Sequence, residues 1–298
     1  MASDDLRIHD VPSPDVARSR PVRGALRRAA ALSAACHPVP AAAVTVMATG
    51  LAVSAGQSGA GCALVAGAVA AGQLSVGWSN DAIDAARDAA AGRSAKPVAS
   101  GAVPVRLVRN AALIALALCV PLSLACGPVA GAVHLAGVGA AWAYNLGLKA
   151  TPWSPLPYAV GFASLPAFVV LSLPGSPWPP WWLMAAGALL GVGAHLADVL
   201  PDIGDDLEAG VRGWPQRLGP VRVRLLLPVP LVAASALLIL AVPGAVGRTG
   251  TVLLLGVGAA VAGAALLGRT RPRVPFRAAL GVAGLDVILL LWRGSGLS

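Results

Sequence analysis

CALVAGAVAAGQLSVGWSNDAIDAARD, residues 62–88, decides how the chain folds, because an apolar run passes without punctuation into three aspartates at helical spacing. A transmembrane helix needs about 20 mostly apolar residues, and the window centred on residue 68 supplies them. Outward from it, eight more such windows lie near residues 47, 115, 137, 165, 190, 232, 259 and 285. The 298 residues are 57% hydrophobic and 12% charged, with a mean hydropathy of +0.75, which excludes an ordinary soluble domain. The expected fold class is all-α, a multi-pass transmembrane bundle of about nine helices over residues 29–298.

Residues 1–28 are different. Four Asp come early, followed by Arg18, Arg20, Arg23, Arg27 and Arg28, and the stretch reads as a polar cytoplasmic arm without packed structure. It is not a signal peptide, since no short apolar core with a small-residue cleavage site follows a basic start. Cys36, Cys62, Cys119 and Cys126 form no C-x-x-C pair and read as small buried hydrophobes.

The net charge of +9 suggests nucleic acid until its distribution is followed along the chain. With nine alternating helices and a cytoplasmic N-terminus, 20 of the 22 basic residues fall on the cytoplasmic side, Arg248 and Arg293 being the exceptions. The charge is therefore a topology signal, and no nucleic-acid partner is expected. The Ala, Gly and Arg content points to a bacterial plasma membrane. Pro174 to Trp182, with three Trp, reads as an outer connection anchored at the interface.

Most of the polar chemistry sits in two connections. Asp81, Asp84 and Asp88 stand at i, i+3 and i+7, which puts them on one side of a helix with Asn80 beside them. Asp198, Asp202 and Asp206 stand at i, i+4 and i+8, in register if the helix persists through Pro201 and Gly204. Outside the arm there are nine acidic residues, and with Asp205 and Glu208 eight of them lie in these clusters; the ninth, Asp286, has no assigned role. Neighbouring carboxylates repel, and a hard divalent cation that bridges carboxylate to phosphate compensates them. Mg²⁺ is the cofactor expected, and Arg87, Arg93, Lys96, Lys149, Arg212 and Arg217 are the nearby phosphate donors.

Asn80-Asp81-x-x-Asp84-x-x-x-Asp88, Lys96-Pro97-x-x-Ser100-Gly101, Tyr144-x-x-x-Leu148-Lys149 and Asp198-x-x-x-Asp202-x-x-x-Asp206-x-x-x-Gly210, followed by Arg217-Leu218-Gly219, occur in that order. Together they resemble the UbiA superfamily of intramembrane prenyltransferases. The resemblance implies helices around a central cavity open to lipid and capped by cytoplasmic loops. It implies metal ligation by Asp81, Asp84, Asp88, Asp198, Asp202 and Asp206, and contact with the donor diphosphate by Asn80, Arg87, Arg93, Lys96 and Arg212. Catalytic roles fall to Asp84, Asp202, Lys149 and Tyr144. Lys96-Pro97 departs from the Arg-Pro of many members, and Asp205 competes with Asp206 for the third place in the second cluster.

The activity implied is Mg-dependent transfer of a prenyl group from its diphosphate to an aromatic or other lipophilic acceptor, with membrane lipids as the surroundings. Cyclisation of the prenyl chain on itself is the alternative that keeps the fold and donor. A transporter or lipid-binding protein, whose acidic clusters gate cations, is the alternative from another class. His134 and His195 read as helix-to-helix hydrogen-bonding groups, and Asn145 as lining for the acceptor.

Overall fold

A computed structural model describes the backbone of residues 14–241, 248–271 and 273–293. The first 13 residues of the expected arm lie outside the described residues. From Pro14 the chain is helical, so the rest of the arm runs straight into the bundle.

The helices are α1 (Pro14–Ala35), α2 (Pro38–Ser54), α3 (Gly59–Ala90), α4 (Val105–Ala125), α5 (Pro128–Leu146), α6 (Pro155–Leu171), α7 (Trp181–Val199), α8 (Ile203–Glu208), α9 (Trp214–Leu218), α10 (Pro220–Leu226), α11 (Pro228–Leu240), α12 (Arg248–Leu267) and α13 (Val274–Arg293). The nine apolar windows fall in α2 to α7 and α11 to α13. The class is therefore all-α as expected, while the count of nine is approximate. Among the described residues, five stretches are long and apolar enough to cross a bilayer, and six if α1 and α2, bent by 60°, count as one. Helix α6 is apolar but has only 17 residues.

Helix α3 shows how the sequence positions the site. Ser58 caps it, its hydroxyl accepting from the Gly61 N–H at 3.1 Å. Its 32 residues rise about 48 Å at about 1.5 Å each, well beyond a hydrocarbon core of about 30 Å. Its Asp-bearing last turns therefore stand past the apolar span. Helix α7 reaches the same level and ends in a 3₁₀ turn, Leu200–Asp202, before α8. The uninterrupted helix that would hold Asp198, Asp202 and Asp206 in register thus does not form. Pro201 lacks the N–H that would continue the helical ladder.

Helices α2, α3, α5, α6 and α7 follow one another around a central space, and α13 packs on both α7 and α2 to close the ring. The core away from the aspartates is built from Val44, Ala48, Leu51, Val65, Val69, Phe168, Val169, Leu183 and Leu238. Small residues bring the backbones together, as expected where packing rather than solvent exclusion drives helix association. A Cβ on Gly191 of α7 would strike the Tyr158 carbonyl oxygen of α6, and one on Gly187 would meet that of Phe162 at 2.7 Å. Across the other side of α6, a Cβ on Gly137 of α5 would strike the Ser164 hydroxyl. Gly191→Ala is accordingly expected to destabilise the protein by about 1–3 kcal/mol through overpacking, read as thermal unfolding in detergent. Gly258→Ala, which meets nothing within 4 Å, is the control; equal melting of the two variants would contradict this packing.

Candidate active site

Where the acidic ends of α3 and α7 meet, the ring encloses a cavity of about 400 Å³. Its polar end is lined by Asn80, Asp84, Arg87, Arg93, Lys96, Tyr144, Lys149, Asp198, Asp202 and Asp206, and its apolar end by side chains such as Val44, Val138, Phe162 and Leu165. One carboxylate from the first cluster and three from the second thus face a common space.

The first cluster divides into two stripes. At 100° per residue, Asn80, Asp84 and Arg87 fall together, and Asp81 and Asp88 fall together on an adjacent strip. The first strip lines the cavity. The second turns toward the loop after α3 and is 2% and 1% exposed. There Lys96 Nζ lies 3.2 Å from Asp81 Oδ1 and 2.8 Å from Asp88 Oδ2, so one ammonium bridges both carboxylates. His37 Nε2 also reaches Asp81 Oδ1 at 3.2 Å, from a residue with left-handed backbone at the break between α1 and α2. Burial works against the Lys96 ammonium, but Asp88 and Asp81 outweigh it and raise its pKa above the usual lysine value.

On the cavity side, Lys149 Nζ donates to Asp84 Oδ2 at 2.7 Å and Arg87 Nη2 stands 2.7 Å from the same oxygen. Lys149 is delivered by the 3₁₀ turn Leu148–Ala150, which Gly147 starts with φ 148°. Its pKa falls below the usual lysine value, because burial and the neighbouring Arg87 and Lys96 charges outweigh Asp84. Arg93 links the two clusters, with Nη1 3.2 Å from Asp88 Oδ1 and Nη2 3.7 Å from Asp206 Oδ1.

In the second cluster, Tyr158 donates its hydroxyl proton to Asp198 Oδ2 at 2.8 Å, and Gln216 Nε2 donates to Asp206 Oδ2 at 2.9 Å. Asp206 faces the cavity, whereas the Asp205 side chain is 70% exposed and lies outside it. Tyr144 and Tyr158, both on the cavity, pack edge to face with their ring centres 5.2 Å apart, and buried His195 hydrogen-bonds the Ser154 hydroxyl at 3.1 Å. Asn145 donates to the Val76 carbonyl at 3.0 Å and to Ser79 Oγ at 2.8 Å, and accepts from Asn80 at 3.2 Å. His134 meets Ser123 at 2.8 Å and stacks on Phe168, a helix-to-helix contact.

Three residues on the sequence-derived site list do not face this space. Asp81 and Asp88 are turned aside to Lys96, because helical periodicity places them over the loop. Arg212 is exposed and lies outside the cavity lining, since the chain turns at Gly210 with φ 78° and buries Val211 instead. Three further residues that the sequence motifs do not contain line it: His37, Tyr158 and Gln216. Of these, Tyr158 carried a signal, as one of only two tyrosines in the chain.

A family model described as the UbiA prenyltransferase family matches residues 39–281. The chain is 29% identical over 155 residues to the bacteriochlorophyll synthase 33 kDa chain of Cereibacter sphaeroides, a match that spans half of this chain and half of that relative. The fold is similar to that of a UbiA homolog from Aeropyrum pernix, with a TM-score of 0.67 and 21% identity over 82% of this chain and 96% of that one. It is equally similar, at a TM-score of 0.67 and 18% identity, to a UbiA homolog from Archaeoglobus fulgidus bound to DMAPP and Mg²⁺, over 89% of this chain and 98% of that one.

Proposed function

We propose that this chain, which belongs to the UbiA prenyltransferase family, moves a prenyl group from its diphosphate to an aromatic or other lipophilic acceptor. It is an integral membrane protein, and the basic loops favour a cytoplasmic position for the polar end of the cavity. The observation that carries the reading is the meeting of Asp84 with Asp198, Asp202 and Asp206 around one cavity that is apolar at its other end.

Those four carboxylates, from α3, α7, the 3₁₀ turn Leu200–Asp202 and α8, are hard oxygen donors of the kind Mg²⁺ takes, and they would hold the ion at the polar end of the cavity. When bound, the ion supplies neutralisation of the charge that builds on the leaving diphosphate. Lys149 and Arg87, held beside Asp84, and Arg93 and Lys96 across from it, bind the diphosphate oxygens. Asp81 and Asp88 act one layer back, fixing Lys96 at the rim. Tyr144 lines the same cavity, and its ring is assigned to the prenyl end of the donor. The apolar walls keep water from that carbon, and the acceptor is positioned there to attack it.

Purified protein given Mg²⁺, a labelled prenyl diphosphate and membrane-extracted lipophilic acceptors is expected to release diphosphate and form a labelled adduct. A cyclic hydrocarbon as the only product would replace transfer with cyclisation. No turnover of donors of 5 to 20 carbons, with no binding of them, would overturn the reading.

A further inference from the structure

A second, smaller cavity of about 80 Å³ lies deeper in the bundle. It is walled by apolar side chains, among them Met47, Leu51, Leu183 and Leu238, and, among the described residues, by a single ionisable group, Asp286. Val44, Phe162 and Leu165 line both this chamber and the main cavity, so the two adjoin through that threshold. Asp286 is 1% exposed. Its Oδ2 accepts from Ser235 Oγ at a long 3.4 Å, while its Oδ1 has no partner among the described residues.

A carboxyl group is costly at this depth, and an unpaired oxygen in an apolar wall is costlier still. None of the residues that bind or position the diphosphate touches it. Its place is instead at the end of the path a hydrocarbon tail would take from the polar end, past Phe162 and Leu165. We infer that Asp286 is the chain-length stop of this enzyme, a polar floor that admits a prenyl tail up to the threshold and disfavours the donor one isoprene unit longer. The inference rests on the prenyl-diphosphate reading given above.

Size and chemistry agree on this role. An apolar cavity of about 150 Å³ takes one benzene, so about 80 Å³ is space for roughly the end of one further isoprene unit. A tail entering the chamber would have to press against the free oxygen, and any water solvating that oxygen would be expelled without replacement. Leaving such a group unsatisfied weakens binding by roughly tenfold or more.

The test is Mg²⁺-dependent binding of prenyl diphosphates of 5, 10, 15 and 20 carbons to the full chain in detergent, which needs no acceptor. Wild-type affinity should rise with length and then level or fall at one step. Asp286→Leu should tighten binding of the donor at that step about tenfold relative to the next shorter one and leave the five-carbon donor unchanged. Asp286→Asn, which keeps a polar floor, should retain the wild-type order. An affinity that climbs smoothly through 20 carbons in the wild type overturns the inference, whatever the variants do. So does a length order unchanged in Asp286→Leu or, should that variant not fold, in Asp286→Ala. Binding of none of the four donors by the wild type would instead count against the prenyl-diphosphate reading itself.

Discussion

Asp84→Ala and Asp202→Ala are each expected to lower turnover of a prenyl diphosphate by about a hundred- to a thousand-fold, the scale seen when one group that stabilises developing charge is removed. Asp84 is the only carboxylate of the first cluster on the cavity side, and Lys149 and Arg87 both take their position from it. Its loss removes a metal ligand and releases two cations that the diphosphate needs. Asp202 carries the same weight from the opposite wall, where it is the last residue of the 3₁₀ turn that follows α7. The measurement is product formation under saturating Mg²⁺ and donor. Asp205→Ala is the comparison: its exposed side chain stands outside the cavity, so turnover should stay within about threefold of wild type, as for surface changes generally. Near-wild-type turnover in either the Asp84 or the Asp202 variant would leave the two-cluster site without support.

Lys96→Met should produce the largest loss of stability, about 3 kcal/mol, because it strands buried charge. Asp81 and Asp88 share the one ammonium, and their remaining partners are His37, which is 46% exposed, and Arg93. Methionine keeps the stem and removes the charge, so the change reports the electrostatic bridge and not lost packing. Adding Asp81→Asn and Asp88→Asn to the variant should restore much of the lost stability, since the neutral amides no longer need a counter-ion. Chemical unfolding of the three forms in detergent decides the matter. A single Lys96→Met that unfolds with wild type would mean that the bridge does little for the fold.

The course of the chain was legible from hydropathy because a bilayer admits few alternatives to the helix. Each apolar window became a helix, and the length of α3 followed from its uninterrupted run between Gly59 and Ala90. Hydropathy does not report whether each helix crosses fully, which is why α6, at 17 residues, was indistinguishable from its longer neighbours. At the site, spacing identified the residue types but not their facing. Asp81, Asp84 and Asp88 lie within about 60° of arc, too narrow for sequence to separate the stripe facing the cavity from the stripe facing Lys96. What separates them is the path of the loop after α3, set by tertiary packing. Pro201 was visible as a possible break, but its consequence, a 3₁₀ turn that still leaves Asp202 and Asp206 on the cavity, depends on Gln216 and Arg93 arriving from elsewhere. His37 and Tyr158 come from segments with no acidic neighbours in sequence, and only folding brings them to Asp81 and Asp198.

The glycines described on α5 and α7 also divide the bundle by the room beside them. Where a single methyl group would collide with a neighbouring backbone, the helices have no slack to slide or part. By contrast Gly256, Gly258 and Gly263 of α12 and Gly281 and Gly284 of α13 meet nothing within 4 Å among the described residues. Helix α13 has this room at Gly281 and Gly284, yet it supplies Ala279 and Leu280 to the main cavity and Asp286 to the chamber beyond. Of the helices that wall the cavity, α7 against α6 is therefore the pair that tolerates no added bulk, whereas α13 has room for a larger side chain at Gly281 and Gly284.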